Sequence, residues 1–266
     1  MLIACYAIGA SVGYNYLRGE FIGDQWKVTN NAIKEAYEHN FIGDNILGSN
    51  VSINIIPLIG AGAYIVGEET AMLESIEGKR GMPRIKPPFP AVQGLYGKPT
   101  IINNTETIAS VPYIIKNGVD WYKNLGAGDA YGVKMFCMSG HLNKPKVIEA
   151  PLGTPFSKLL DECNGMLNDK KLKAVIPGGS SVPVVKGEVI MDTPMDYEPL
   201  MKIGTMLGSG GVIVMDETTC MVSVLERISR FYYAESCGQC TPCREGTGWL
   251  YKTCLLYTSD AADDMQ

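Results

Sequence analysis

Three cysteines near the end of the chain constrain the fold of this sequence more than any other feature. Cys237, Cys240 and Cys243 are each separated by two residues, in the order Ser-Cys-Gly-Gln-Cys-Thr-Pro-Cys-Arg. Two consecutive CxxC spacings bring three thiolates around one small volume, as a [4Fe–4S] cluster requires of three of its four ligands. Gly238 allows the loop to fold back, and Arg244 places a positive charge beside an anionic cluster. The spacing therefore predicts an iron–sulfur site.

Two other interpretations of the three cysteines stay open, a zinc site and inert thiols. Zinc usually takes its ligands in two separated pairs, so the spacing favours an iron–sulfur cluster. No secretory signal accompanies the cysteines, which favours metal binding over disulfides. Downstream the sequence offers only Cys254, which we do not expect to be the fourth ligand. The remaining cysteines lie among apolar neighbours and are predicted to be core thiols: Cys5, Cys137, Cys163 and Cys220.

Composition excludes one class of partner. The chain has 266 residues, which suggests about two domains. Its 23 Lys and Arg against 28 Asp and Glu give a net charge of −5, and nucleic-acid binding requires a basic face. We therefore expect no nucleic-acid partner.

The apolar start of the chain, Met1–Tyr16, is predicted to be neither a signal peptide nor a membrane span. No basic segment precedes it, and Arg18 and Glu20 end it before the length of about 20 residues that a span needs. We predict a buried helix, because apolar residues recur at helical spacing. They are Ala4, Ala7, Ile8, Val12 and Tyr16.

The first half of the chain contains a strand, a glycine turn and a helix in succession. Ser52–Ile59 is predicted to be a buried strand, and Gly60–Ala63 a tight turn. Tyr64–Ile76 then shows helical periodicity, with Gly78 as its stop. A short strand over Thr100–Asn104 and a helix from Thr105 to Lys116 are also predicted. This order indicates an α/β domain.

After about Asn124 the composition changes to that of a small α+β module. The predicted strands are Val133–Ser139, Lys173–Ile176, Val189–Met191 and Gly211–Met215, and a helix is predicted over Pro155–Glu162. Asp216–Tyr233 has the spacing of an amphipathic helix and leads directly into the cysteines.

Four segments together resemble one family. They are Gly60–Thr70, Lys86–Pro90, Asn103–Thr107 and Ser236–Thr247, and they are similar to the FMN-binding NADH dehydrogenase subunit of respiratory complex I. The resemblance extends from residue 1 to about residue 253. It implies an α/β Rossmann-like FMN domain, a small ubiquitin-like (β-grasp, SLBB-type) α+β module and the start of an all-α iron–sulfur helical domain.

The domain boundaries that follow are residues 1–124 for the C-terminal part of the FMN and NADH domain, 125–216 for the ubiquitin-like module and 217–253 for the start of the cluster domain. We expect residues 254–266 to be a non-native tail, because this stretch matches a reading frame through a common sequencing adapter. The family's glycine-rich phosphate loop would lie before residue 1.

The resemblance assigns the cofactor contacts residue by residue. It implies that FMN is bound by Tyr64, Gly67, Glu68, Asn103, Asn104 and Thr107. It implies that NADH meets Glu69, Lys86 and Phe89, and that Cys237, Cys240 and Cys243 hold the [4Fe–4S] cluster, whose fourth cysteine is missing from this chain. Val66 departs from the family, which often has cysteine there.

The residues alone leave plainer roles open for the same side chains. Glu68 and Glu69 could stabilise a helix dipole, which is the role that the sequence by itself favours. Lys86 could be an exposed lysine and Phe89 a core ring. Asn103 and Glu106 have the spacing of a capping box. The bare turn at Gly60–Ala63 could serve packing only.

The implied activity is NADH oxidation by FMN with one-electron transfer to the cluster, as the electron-input subunit of an NADH:quinone oxidoreductase. The flavin carries the chemistry, so no catalytic side chain is predicted. The implied partners are other peripheral-arm subunits of complex I, especially the small [2Fe–2S] thioredoxin-like subunit, without direct membrane insertion. The implied location is the cytoplasmic face of a bacterial inner membrane.

Two alternative functions remain. One is the diaphorase subunit of an NAD-linked hydrogenase or formate dehydrogenase, and the other is a non-catalytic metal-binding scaffold. His141 is predicted to be structural, since it lies in the small module away from the flavin residues.

Because the phosphate loop and the fourth cysteine are not among the 266 residues, we expect this chain by itself to bind FMN weakly and not to complete its cluster. Saturable binding of one FMN at micromolar affinity in a titration would contradict the first of these expectations.

Overall fold

The computed structural model describes residues 1–258. The helices are α1 Leu2–Ile8, α2 Asp24–Glu38, α3 Glu69–Ile76, α4 Thr105–Asn117, α5 Val119–Lys123, α6 Phe156–Glu162, α7 Gly187–Ile190, α8 Tyr197–Lys202, α9 Met221–Glu235 and α10 Thr241–Thr258. The strands are β1 Val12–Leu17, β2 Asn54–Ile59, β3 Val133–Gly140, β4 Lys146–Pro151, β5 Leu172–Ile176, β6 Val185–Lys186 and β7 Gly211–Asp216. The last eight residues of the predicted non-native tail, 259–266, lie outside the described residues.

The chain forms two compact units. Among the described residues, the first consists of Met1–Pro112 with Arg230–Leu250, and the second of Tyr113–Ser229 with residues 251–258. The cysteine loop therefore belongs to the same compact unit as the glycine turn.

The first unit contains a pair of parallel strands. β1 and β2 pair in register from Val12 opposite Asn54 to Leu17 opposite Ile59, and α2 lies between them in the chain. Parallel strands need such a crossover, and their carboxyl ends meet at one edge. The apolar core of this unit is formed by Cys5, Ile42, Ile46, Ile53 and Ile55.

The predicted single helix over Met1–Tyr16 is wrong. α1 ends at Ile8 because Gly9 adopts the left-handed conformation with φ 71°, and β1 begins at Val12. The β-branched and aromatic residues of β1 favour a strand over continued helix. Among residues 1–258, no helix is both long enough and apolar enough to span a bilayer.

Two glycine segments meet at the carboxyl ends of β1 and β2. Gly19 follows β1, and the turn Gly60–Ala63 follows β2. A Cβ atom on Gly19 would overlap the Gly62 nitrogen and lie 2.6 Å from the Gly60 oxygen. These are backbone atoms, which cannot move aside as a flexible side chain could. Bare backbone is therefore required where the two loops cross.

The helix predicted from Tyr64 begins five residues later. Tyr64–Gly67 forms a 3₁₀ turn, and Glu68 is extended at φ −74° and ψ 133°, so α3 starts at Glu69. The predicted stop is confirmed, because α3 ends at Ile76 and Gly78 has a positive φ of 76°.

The second unit is built on a five-stranded sheet in the order β4-β3-β7-β5-β6. β3 and β7 are parallel, and the other neighbours are antiparallel. Its core contains the fully buried rings of Phe136 and Phe156, with Val175, Val212 and Val214 of the central strands. The strands predicted within β3, β5 and β7 and the helix predicted at α6 are confirmed.

Two strand predictions are wrong. Val189 and Ile190 belong to α7, Met191 follows it directly, and Thr100–Asn104 has no regular structure. Apolar runs of this length do not distinguish strand from helix or loop by periodicity.

The prediction of core thiols holds for two of four cysteines. Cys5 and Cys163 are buried, whereas Cys137 and Cys220 are exposed. Cys137 lies in β3 between the buried Phe136 and Met138, so strand alternation turns it to the opposite face. Cys220 directly precedes α9.

His141 lies against the buried end of β7. Its Nδ1 accepts a hydrogen bond from the Asp216 backbone N–H at 3.1 Å, and the Asp216 carboxylate is 1% exposed. Lys170 Nζ lies 3.2 Å from that carboxylate and neutralises it. These contacts agree with the structural role that the sequence predicts for His141.

We expect Gly19→Ala to destabilise the chain by about 1–3 kcal/mol, because the added methyl group overlaps backbone. Thermal unfolding followed by circular dichroism measures the change. Gly246→Ala is the matched control, since a Cβ there meets nothing within 4 Å and α10 favours alanine over glycine. Equal melting temperatures for Gly19→Ala and the parent chain would contradict the crossing of the two loops.

Candidate functional site

The Glu68 carboxylate caps α3. Its Oε2 accepts hydrogen bonds from the N–H groups of Thr70 and Ala71, each at 2.9 Å, and from the Thr70 hydroxyl at 2.5 Å. Burial disfavours the charged form, but the Thr70 and Ala71 donors together with Lys86 hold the pKa of Glu68 below its usual range. Glu68 is thus the helix-start carboxylate that the sequence by itself favours.

Lys86 joins the two predicted glutamates. Its Nζ lies 2.5 Å from Glu69 Oε1 and 3.2 Å from Glu68 Oε1. The Glu69 and Glu68 carboxylates raise the pKa of Lys86. The structure therefore brings together three side chains that were predicted to contact FMN or NADH. The predicted alternative of Phe89 as a core ring is wrong, because the ring is 58% exposed.

A buried polar network fixes the loop that carries Lys86. The Arg84 N–H donates to Thr70 Oγ1 at 2.8 Å, and Thr70 is 1% exposed. The Arg84 guanidinium donates to Glu74, Glu77 and the Gly94 carbonyl oxygen. The sequence by itself does not identify Arg84. Its signal in the sequence is its position close to Lys86 in a proline-rich segment.

Tyr64 and Gly67 lie in the 3₁₀ turn before Glu68. The Tyr64 ring packs edge-on against Phe231 with centroids 4.9 Å apart. A Cβ on Gly67 would meet nothing within 4 Å, so this stretch of backbone is open on that side. The open backbone is where the resemblance places the flavin ring.

Asn103, Asn104 and Thr107 are exposed around the start of α4. Asn104 Oδ1 accepts a hydrogen bond from the Glu106 N–H at 2.8 Å, so the capping side chain is Asn104 rather than Asn103 of the predicted box. The helix begins at Thr105, one residue later than the box requires. Within residues 1–258, no hydrogen bond joins these three side chains to the Glu68–Lys86 group.

The three predicted cluster ligands occupy one loop and the first turn of α10. Cys237 is half-buried, Cys240 and Cys243 are exposed, and all three are free thiols. Gly238 has φ 75°, and Arg244 Nη1 donates to the Gly238 carbonyl oxygen at 3.0 Å, which closes the loop.

The sulfur atoms are not gathered as a ligand set. No group of three His, Cys, Asp or Glu residues in the described part of the chain is arranged to hold a metal ion. The donor chemistry nevertheless fits the predicted group, because three free thiols on two CxxC spacings are the soft ligands that iron–sulfur clusters take. Cys254 is buried within α10.

Comparison with known proteins identifies each segment. Residues 1–113 match the family model described as the Nuo51 FMN-binding domain, residues 135–185 match the SLBB domain, and residues 223–265 match the NADH-ubiquinone oxidoreductase-F iron-sulfur binding region. The NADH-quinone oxidoreductase F subunit of Rickettsia bellii is 48% identical over 263 residues, covering 98% of this chain and 63% of the relative. Over most of its length the chain is therefore similar to NADH-quinone oxidoreductase F subunits.

Other relatives agree with the family. The F subunit of the Rickettsia typhi enzyme is 50% identical over 256 residues, covering 96% of this chain and 60% of the relative. The F 2 subunit of the Rhizobium meliloti enzyme is 49% identical over 254 residues, covering 95% of this chain and 60% of the relative. The chain thus spans about three fifths of the length of the curated relatives that it matches.

A solved structure also matches. The crystal structure of an NAD+-reducing [NiFe]-hydrogenase in the H2-reduced state superposes with a TM-score of 0.80 at 33% identity, covering 96% of this chain and 42% of that chain.

The predicted resemblance is confirmed, and the order of FMN domain, SLBB domain and 4Fe–4S region is as the sequence indicates. FMN and a [4Fe–4S] cluster are confirmed as the cofactors that the family models describe. The assignment of individual site residues stays a prediction.

We expect Thr70→Val to destabilise the chain by about 1–3 kcal/mol, because it leaves the part-buried Arg84 N–H without its acceptor and removes a donor to Glu68. Urea unfolding measures the loss. Thr70→Ser keeps the hydroxyl and should restore most of the stability, while Thr107→Val, at an exposed position, should change it little. Unchanged stability in Thr70→Val would contradict the network.

Proposed function

We propose that a full-length family protein carrying this sequence oxidises NADH with FMN and delivers the electrons to a [4Fe–4S] cluster. The observation that carries the proposal is the presence of two sites in one compact unit. The Glu68, Glu69 and Lys86 group and the Cys237–Cys243 loop both belong to it. The family match supports this pairing of a flavin site with a cluster site.

Bound FMN would supply the acceptor for a hydride from NADH, that is for two electrons and one proton, and would allow one-electron delivery to the cluster. The protein's part is binding, orientation and electrostatics. We propose that Tyr64, Gly67, Glu68, Asn103, Asn104 and Thr107 hold FMN, and that Cys237, Cys240 and Cys243 hold the cluster.

For the nucleotide, we propose contacts with Glu69, Lys86 and Phe89. The Lys86 ammonium is a cation for phosphate or ribose oxygens, and the exposed Phe89 ring offers a face for stacking. The Lys86–Pro87 and Pro87–Pro88 peptide bonds between them are cis. The Arg84 network holds this loop against Glu74 of α3 and against Glu77, and the Lys86 cation lies beside Glu69.

We further propose a Rossmann-like fold for the FMN domain, a ubiquitin-like fold for the SLBB module and a helical cluster domain. The parallel β1–β2 pair with its crossover helix, the five-stranded mixed sheet and the helices α9 and α10 support these three assignments in turn.

The proposed partners are other peripheral-arm subunits of complex I, above all the small [2Fe–2S] thioredoxin-like subunit, at the cytoplasmic face of a bacterial inner membrane. The names of the relatives, which are subunits of a larger quinone-reducing enzyme, support this. Their identities of 48–50%, against 33% for the hydrogenase, favour complex I over a hydrogenase diaphorase.

The test uses a full-length family protein that carries this sequence, purified without oxygen. We expect about four iron and four sulfide ions per chain, a flavin spectrum, and bleaching of that spectrum by NADH. Colourless, iron-free protein, or zinc in place of iron, would instead support the metal-binding scaffold.

A variant pair then tests the nucleotide contacts. Lys86→Ala should raise the KM for NADH about tenfold with little change in kcat, since it removes a charge-assisted hydrogen bond to the nucleotide. Lys98→Ala, an exposed lysine of the same segment, should leave both constants unchanged. Equal KM values for Lys86→Ala and the parent protein would contradict the assigned role.

A further inference from the structure

The last turn of α9 is hydrogen-bonded to the residue that follows the glycine turn. The Tyr64 backbone N–H donates to Glu235 Oε2 at 2.9 Å, between residues that are 171 positions apart in the sequence. Tyr64 directly follows the turn Gly60–Ala63, and Glu235 is the last residue of α9. Both belong to the first compact unit.

An aromatic contact supports the same junction. Phe231 lies one helical turn before Glu235, so the two side chains share a face of α9. Its ring meets the Tyr64 ring at 4.9 Å with an interplanar angle of 73°, and it meets the Tyr232 ring at 5.5 Å. The contact therefore combines a charge-assisted hydrogen bond with edge-to-face packing, each of which is directional.

The residue after Glu235 reaches the cysteine loop. The Ser236 hydroxyl accepts a hydrogen bond from the Gly238 N–H at 3.2 Å and lies 3.2 Å from Cys243 Sγ. Cys237 follows Ser236 directly. Two adjacent residues therefore connect the turn that carries Tyr64 with two of the proposed cluster ligands.

Two arginines lie near this junction. Arg18 is hydrogen-bonded to Glu20, and this bond, with smaller contributions from Tyr64 and Glu235, raises the pKa of Arg18. A Cβ on Gly238 would lie 3.9 Å from Arg80 Nη2. The Glu235 carboxylate, which accepts the Tyr64 N–H, therefore also interacts electrostatically with the Arg18 guanidinium.

We propose that Glu235, with Phe231, is a positioning residue that fixes the distance between the 3₁₀ turn Tyr64–Gly67, here called the flavin turn, and the Cys237–Cys243 loop, here called the cluster loop. The inference rests on the proposed function. The rate of electron transfer falls steeply with distance. The Glu235 carboxylate is hydrogen-bonded to the flavin turn, and the Glu235 backbone leads directly into the cluster loop, so one residue fixes the distance between the two. Neither residue needs to carry charge or protons in the reaction.

The first test needs no cofactor and uses the 266-residue chain. Amide hydrogen exchange of a peptide containing Tyr64 should become about tenfold faster in Glu235→Ala, the change expected when one charge-assisted hydrogen bond is lost. Glu235→Gln keeps an acceptor oxygen and should restore most of the protection. Glu226→Ala, on the same helix, is the control and should leave exchange at Tyr64 unchanged.

Equal exchange at Tyr64 in Glu235→Ala and the parent chain would overturn the junction. Circular dichroism of each variant shows whether the helices are retained. If Glu235→Ala does not fold, Phe231→Leu decides the question by the same measurement: exchange at Tyr64 faster than in the parent chain is expected, and an unchanged rate would overturn the junction.

The second test uses the full-length family protein. In Glu235→Ala, NADH should bleach the flavin at the parent rate, while the paramagnetic signal of the reduced cluster, followed after rapid freezing, should appear roughly tenfold more slowly. Glu235→Gln should recover most of that rate. An unchanged rate of cluster reduction in Glu235→Ala would overturn the positioning role.

The two failures can be told apart. If NADH does not bleach the flavin of the parent protein, the proposed function is wrong, and the hydrogen-exchange result still decides whether Glu235 holds the turn. If NADH bleaches the flavin equally and the cluster is reduced equally in parent and variant, the proposed function stands and the positioning role falls.

Discussion

The Glu68 carboxylate is the contact on which the candidate site depends. One of its oxygens caps α3 through the Thr70 and Ala71 N–H groups, and the other lies within reach of Lys86. The Thr70 hydroxyl donates to Glu68 and accepts a hydrogen bond from the Arg84 N–H, which links Glu68 to the proline-rich loop. A single ionised side chain therefore caps the helix start and also supplies one of the contacts that hold the loop.

Close backbone contact is the second constraint, and it explains the glycines of the turn. β1 and β2 are parallel, so the segments that follow them emerge at the same edge, where ligands bind in α/β sheets. Gly19 and Gly62 touch there without side chains between them. A side chain would force the segments apart and displace Tyr64, which follows the turn.

The sequence predicts elements with strong local signals and fails where local signals conflict. The strand within β2 and the stop at Gly78 follow from an isoleucine-rich run and a left-handed glycine. The apolar spacing at the chain start suits both helix and strand, so it predicts one helix where the structure has a helix and a strand. The left-handed conformation of Gly9, which ends α1, is visible only in the structure. Glu68 likewise interrupts a pattern with helical periodicity. Its backbone is extended because its carboxylate accepts the Thr70 and Ala71 N–H groups and caps α3.

The same limit applies to the site, where the resemblance supplies names of residues but not their contacts. Nothing local to Glu235 points to Tyr64, which is 171 positions away. The structure also gives different partners to the adjacent Glu68 and Glu69, for which the residues alone suggest one shared role at the helix start. Glu68 is fixed by the helix start, whereas the hydrogen bond of Glu69 is to Lys86, the cation that we propose binds the nucleotide. Binding a nucleotide there would therefore release Glu69 to new partners and leave Glu68 in place.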